Sequence, residues 1–117
     1  MQNYTGKCHC GEISFSFQAD PLINAMRCDC SICSKKGIVM SNVTIPPDKI
    51  EITARPGALR TYQFGTQTAR HHFCDSCGIH TFVETRLNPG EYRINLGCVE
   101  ELDALRLPEI IYDGKSL

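Results

Sequence analysis

No run of apolar residues in this chain approaches the length needed to cross a bilayer. The first residues, Met1 to Lys7, hold no apolar core of the kind an export signal carries. No basic cluster exceeds Lys35-Lys36, and the formal charge is −1. Nucleic-acid and membrane partners are therefore not expected. Internal repeats, low-complexity tracts and linkers are also missing. These absences point to one globular domain spanning 1–117, expected in the cytoplasm. Hydrophobic residues make up 42% of the chain and charged residues 21%, which is ordinary for a soluble domain.

Cysteine is the exception, with eight in 117 residues. That number suits a disulfide framework in a secreted chain. With no export signal, and with Cys-x-Cys and Cys-x-x-Cys spacings, metal binding is the better reading. The centre of the pattern is Cys28-Asp29-Cys30-Ser31-Ile32-Cys33. Three thiols so close together would compete for one small volume as core filler, and a Cys28–Cys30 disulfide would be a strained ring that leaves the third sulfur over. Zinc holds several thiolates in a roughly tetrahedral array at about 2.3 Å each. Closed structural sites take four protein ligands, whereas three leave a position for water or substrate. Four further cysteines form two pairs, Cys8 with Cys10 and Cys74 with Cys77. The simplest assignment gives a closed four-thiolate site from the pairs and an open site from the triplet. Spacing alone leaves another arrangement open, in which the triplet takes one sulfur from elsewhere.

Between the cysteines the sequence reads as short strands. Ile13, Phe15 and Phe17 alternate with polar residues from Glu12 to Gln18, the period of a half-buried strand. Leu22 to Met26 reads as a strand delivering Cys28. Further strands are expected at Ile38–Val43, Ile50–Thr53, Arg60–Phe64, Arg70–Phe73, Ile79–Thr85, Tyr92–Cys98 and Ile110–Tyr112. Asp20-Pro21, Pro46-Pro47-Asp48, Pro56-Gly57 and Asn88-Pro89-Gly90 punctuate them. Ser34 to Gly37 reads as a turn or a single helical turn ending in glycine, and Glu100–Leu105 as a short helix. The sum is all-β, with about eight to ten short strands and turns every 8–12 residues.

Cys8-x-Cys10, Cys28-x-Cys30-x-x-Cys33 and Phe73-Cys74-x-x-Cys77-Gly78 resemble the glutathione-dependent formaldehyde-activating enzyme family. Arg86-x-Asn88-Pro89-Gly90 and Cys98 resemble its centromere protein V-like branch. The likeness runs from about Gly6 to Cys98. It implies a β-tent of twisted antiparallel sheets around two zinc sites, with short helical turns. It further implies one structural zinc on Cys8, Cys10, Cys74 and Cys77, and one catalytic zinc on Cys28, Cys30 and Cys33. The activity implied is that of a carbon–sulfur lyase joining formaldehyde, or another small aldehyde, to the thiol of glutathione.

The donor set agrees with that chemistry. Three thiolates make zinc a weak Lewis acid but a good acceptor of a fourth soft ligand. A substrate thiol suits that position, because zinc lowers its pKa. His80, just past Cys77, is a candidate proton relay, and also reads as a hydrogen-bonded structural histidine. Arg86 is a candidate for a substrate carboxylate, or else braces its turn. His71 and His72 are adjacent, so they point to opposite faces, and both read as structural. His9 points to solvent, and Cys98 reads as a small core residue. Asp29 and Ser31 read as hydrogen-bonding partners of the sulfurs, and Lys35 and Lys36 as a solvated turn. The alternative function is a non-catalytic, zinc-stabilised protein-binding module. A scaffold should be damaged comparably by loss of either metal, whereas an enzyme should survive loss of the triplet and keep its fold.

Overall fold

The computed structural model describes residues 1–116. Ten strands run in the order β1 (Gln2–Lys7), β2 (Ile13–Ala19), β3 (Ala25–Cys28), β4 (Met40–Ser41) and β5 (Ile50–Ala54), then β6 (Leu59–Tyr62), β7 (Arg70–Cys74), β8 (His80–Glu84), β9 (Tyr92–Ile94) and β10 (Glu109–Tyr112). A short helix, α1 (Ser31–Lys36), follows β3, and 3-10 turns lie at Pro47–Lys49, Leu96–Cys98 and Ala104–Arg106. The strands form three sheets, ordered β1-β2-β5, β10-β3-β4 and β6-β7-β8-β9. This is the mainly β architecture expected from the alternation. No described helix is long and apolar enough to cross a membrane.

The alternating face of β2 supplies the main core. Ile13, Phe15, Phe17 and Ala19 are buried, with Phe15 edge-on to Phe82 at 5.6 Å and Phe17 stacked on Tyr4 at 5.3 Å. β1 carries too few apolar residues to announce itself, and it is a strand because its backbone pairs along β2 from Gln2↔Ala19 to Lys7↔Ser14. Gly6 permits this close packing. A Cβ there would overlap the Phe15 ring and lie 2.8 Å from the Cys98 carbonyl oxygen. A second, smaller cluster of Met26, Cys33, Met40 and Val83 surrounds the triplet loop.

Four elements differ from expectation, each because of a particular hydrogen bond. α1 begins at Ser31, inside the triplet, because the Cys30 sulfur accepts the Cys33 N–H and caps it; Gly37 ends it in left-handed backbone (φ 65°). The strand expected over Tyr92–Cys98 stops at Ile94, where the Asn95 side chain accepts the Gly97 N–H and turns the chain into a 3-10 turn. β4 shrinks to Met40–Ser41 because Ser41 Oγ donates to the Val43 carbonyl and accepts the Ile94 N–H. The helix expected over Glu100–Leu105 is only a 3-10 turn at Ala104–Arg106. Glu101 is instead drawn to β1, accepting hydrogen bonds from the Thr5 N–H at 2.7 Å and hydroxyl at 2.6 Å.

Strand direction brings one departure from the antiparallel rule. β10 runs parallel to β3, from Glu109↔Ala25 to Tyr112↔Cys28. The chain beyond Tyr112 is thereby laid over the Cys28–Cys33 loop.

Candidate metal centres and the cavity at the cysteine triplet

Cys8 and Cys10 sit on the turn between β1 and β2, and Cys74 and Cys77 on the turn between β7 and β8. The two turns are built alike. The Cys8 N–H donates to the Ile13 carbonyl at 3.0 Å, and the Cys74 N–H to the Ile79 carbonyl at 3.0 Å. Each has glycine in left-handed backbone after its second cysteine: Gly11 at φ 84° and Gly78 at φ 76°. This geometry turns both sulfurs of a pair inward. The four ligand atoms lie within 4.8 Å of one another, with Cys8–Cys10 and Cys10–Cys74 sulfur separations of 3.6 Å. A tetrahedron with arms of about 2.3 Å has edges of about 3.8 Å, so the donor set fits a zinc-sized cation. Outside the sulfurs, Arg55 bridges the two turns, pairing with Glu12 at 3.0 Å and Asp75 at 2.8 Å. Ser76 donates to Glu12 at 2.6 Å.

The thiols of Cys77 and Cys10 are shifted in opposite directions. Burial raises Cys77, but the N–H groups of Cys10 and Ile79 and the thiols of Cys74 and Cys8 outweigh it and bring it down to about 6. At Cys10 the Glu12 N–H favours the thiolate, yet desolvation and the thiols of Cys74, Cys8 and Cys77 push it up to about 12. Several thiolates packed this closely require a cation to neutralise them.

The triplet is assembled locally. Cys28 ends β3, Cys30 caps α1, and Cys33 lies in its first turn. The three ligand atoms again fall within 4.8 Å. Burial raises Cys30, but the Cys33 N–H and thiol, the Cys28 thiol and the Ile32 N–H outweigh it, so its pKa is lowered. Burial raises Cys28 and pushes Cys33 up to about 12, against the attraction of Lys36. Among the described residues Asp29 makes no hydrogen bond to the sulfurs, contrary to expectation. It accepts the Lys115 N–H at 2.9 Å and its own N–H donates to the Tyr112 carbonyl at 3.1 Å, so it holds the C-terminal segment over the loop.

All three triplet cysteines line a cavity of about 440 Å³. Its apolar walls include Met26, Met40, Phe64, Val83 and Tyr112, and its polar groups include His71, Arg86, Arg93 and Lys115. No carboxylate lines it among the described residues. Arg93 is half-buried; its guanidinium donates to the carbonyls of Ser41 at 2.9 Å and Asn42 at 2.8 Å, and burial lowers its pKa.

Of the residues singled out from sequence, Arg86 lies on the exposed edge of this cavity. His80 does not line it. Its ring packs on Phe73 at 5.7 Å and edge-on to His71 at 6.4 Å, and its buried Nδ1 has no partner. His71, which reads as structural in the sequence, is the histidine in the cavity wall. Alternation does place the two neighbours on opposite faces: His72 bonds to Thr61 at 2.9 Å and Glu84 at 2.7 Å. Lys36 is not a solvated turn residue, for its Nζ lies 3.0 Å from His71 Nδ1. Cys98 is buried, its sulfur 3.7 Å from the His80 carbonyl oxygen, outside both cysteine clusters. Arg93 and Tyr112 carry no motif, and only the fold brings them to the triplet.

The chain is similar over most of its length to known proteins. The crystal structure of a Rhodobacter sphaeroides protein superimposes with a TM-score of 0.80 at 34% identity, covering 91% of this chain and 99% of that one. A family model described as glutathione-dependent formaldehyde-activating enzyme matches residues 3–113. With both cysteine clusters included in that match, the chain belongs to the glutathione-dependent formaldehyde-activating enzyme family.

Proposed function

We propose that this protein is a zinc-dependent enzyme of the carbon–sulfur lyase type, acting in the cytoplasm. It activates a small thiol such as glutathione for addition to formaldehyde or another small aldehyde, and it runs the release in reverse. The observation that carries the reading is the contrast between the clusters. Four sulfurs are closed between two matching turns, whereas three open onto a cavity of about 440 Å³. The first set suits a structural zinc and the second a catalytic one. Zinc on Cys28, Cys30 and Cys33 would supply a soft cation that keeps an incoming thiol ionised at neutral pH.

The remaining work falls to the chain. Apolar walls from Met26, Met40, Phe64 and Val83 keep water from the reacting atoms. Arg86 and Arg93, with no carboxylate among the described residues lining the cavity beside them, suit a carboxylate of the thiol substrate. In the addition the sulfur forms a bond to the carbonyl carbon, and the carbonyl electron pair moves to oxygen. That oxygen then needs a proton.

Cobalt substitution tests the reading, because an added thiolate raises sulfur-to-metal charge-transfer absorption. Glutathione titrated into the cobalt protein is expected to raise the band by about one sulfur's worth, below the free thiol's pKa of about 8.5. Formaldehyde added afterwards is expected to change it again, and Cys30→Ala to abolish both responses. A triplet loaded with metal that answers neither glutathione nor a simpler thiol would leave the binding-module reading in its place.

A further inference from the structure

We propose that Lys36 and His71 form a proton-carrying pair serving the aldehyde oxygen in the triplet cavity, with His71 the catalytic residue and Lys36 its positioning partner. This rests on the thiol-addition reading above, and begins from a contact the sequence does not suggest. Lys36, in the last turn of α1, and His71, on β7, are 35 residues apart, with Nζ 3.0 Å from Nδ1. An ammonium group only donates, so His71 Nδ1 accepts and the ring's own proton resides on Nε2. Among the described residues no hydrogen-bond partner reaches that Nε2. The ring belongs to the cavity wall yet is only 4% exposed, so its remaining access is toward the cavity. Phe64 stacked at 5.9 Å and His80 edge-on at 6.4 Å hold its plane.

The charges around the pair fit this role. Glu84 serves His72 on the opposite face of β7. None of the ion pairs among the described residues includes Lys36. Burial lowers the Lys36 pKa, against the attraction of Cys33, Cys30 and Cys28, so the ammonium is readied to give up its proton. Burial, with Lys36 alongside, keeps His71 down to about 4, so the ring works as a neutral carrier.

The step balances. As the carbon–sulfur bond forms, the carbonyl electron pair goes to oxygen, and that oxygen takes the proton from His71 Nε2. His71 Nδ1 takes a proton from Lys36, leaving a neutral amine. A proton from solvent then reloads Nε2, and the Nδ1 proton returns to Lys36, which restores the ammonium and the Nε2–H ring. The proton the thiol gives up to solvent on ionising is balanced by the one solvent returns to the pair, and release runs the same transfers backwards.

The test uses the zinc-loaded full chain, with nitrogen-15 NMR of the histidines beside steady-state kinetics. In the wild type His71 is expected to carry its proton on Nε2. Lys36→Met is expected to release that preference, and Lys36→Gln to keep it, because an amide donates without passing on a proton. Both variants, and His71→Asn, are expected to lower kcat by about 10²-fold or more with KM within a few-fold. Metal content and the cobalt response to glutathione should match the wild type for the two Lys36 variants. A wild-type His71 with its proton on Nδ1, or a kcat within about twofold in Lys36→Gln and His71→Asn, would overturn the pair. Loss of the cobalt response in the wild type would instead overturn the thiol-addition reading.

Discussion

Gly114 tests the geometry of the triplet most directly. It is buried under the loop, and it does not use the left-handed backbone that would itself bar a side chain. A Cβ at this position would run into the Cys28 sulfur and lie 2.9 Å from Cys30 Cβ and 3.2 Å from the Cys30 nitrogen. Ordinary carbon contacts are about 3.5–4.0 Å, so either the sulfur or the segment must move by roughly 1 Å. The segment resists, because Asp29 accepts the Lys115 N–H at 2.9 Å and Tyr112 accepts both the Asp29 N–H at 3.1 Å and the Gly114 N–H at 2.9 Å. Gly114→Ala is therefore expected to cost about 1–3 kcal/mol, the usual range for overpacking. That corresponds to a Tm lower by roughly 4 °C per kcal/mol in a domain of this size. The loss should be selective: metal analysis should fall from two ions per chain toward one, since the four-cysteine cluster is untouched. A variant with wild-type Tm and full metal content would refute the placement of this segment on Cys28.

Two other perturbations separate the centres and the histidines. The four-cysteine site joins segments far apart in sequence, and structural zinc contributes on the order of 10 kcal/mol, comparable to the whole stability of a small domain. Cys74→Ala is therefore expected to abolish soluble folding, while Cys30→Ala leaves a folded chain with one metal; soluble yield and metal analysis decide, and the reverse outcome would exchange the two roles. Burial and nearby Lys36 lower His71 and His80 to about 4, so NMR titration should find both rings neutral at pH 5.5. Because the unfolded chain takes up these protons from about pH 6.5, their contribution to stability is whole above that pH and falls between pH 6.5 and 4.

The cysteine clusters are legible in the sequence because their spacing is local. Cys28, Cys30 and Cys33 need only one turn of chain to meet, and Cys74-x-x-Cys77-Gly78 carries its own turn. The alternation of β2 is legible for the same reason, since its period is visible within seven residues. What sequence reading misses depends on other segments. β1 is a strand because β2 offers it a partner, and Lys36 is half-buried because β7 places His71 against it. His80 draws attention by its closeness to Cys77, yet the bulge between His72 and Phe73 in the β7–β8 pairing shows that proximity along a strand does not settle which ring meets the cavity. A lysine three residues beyond the last triplet cysteine, near the end of a short helix, was the available signal for Lys36.

The parallel pairing of β10 with β3 gives the triplet its non-local half. Parallel neighbours need a long crossover, and here it is nearly the whole fold, from Cys28 to Glu109. One consequence is that the cysteines and the cavity around them answer to different parts of the chain. The sulfurs depend on a loop of six residues, whereas Tyr112, Gly114 and Lys115 reach them only after every other strand is in place. Arg86 and Lys115 lie at exposed positions on the cavity edge, where replacement costs little packing. Under the proposed function, substitutions there should change which thiol is accepted while leaving metal binding and the Lys36–His71 contact intact. Under that same reading, chemistry is held in the half-buried loop, and choice of substrate in exposed side chains at the cavity edge.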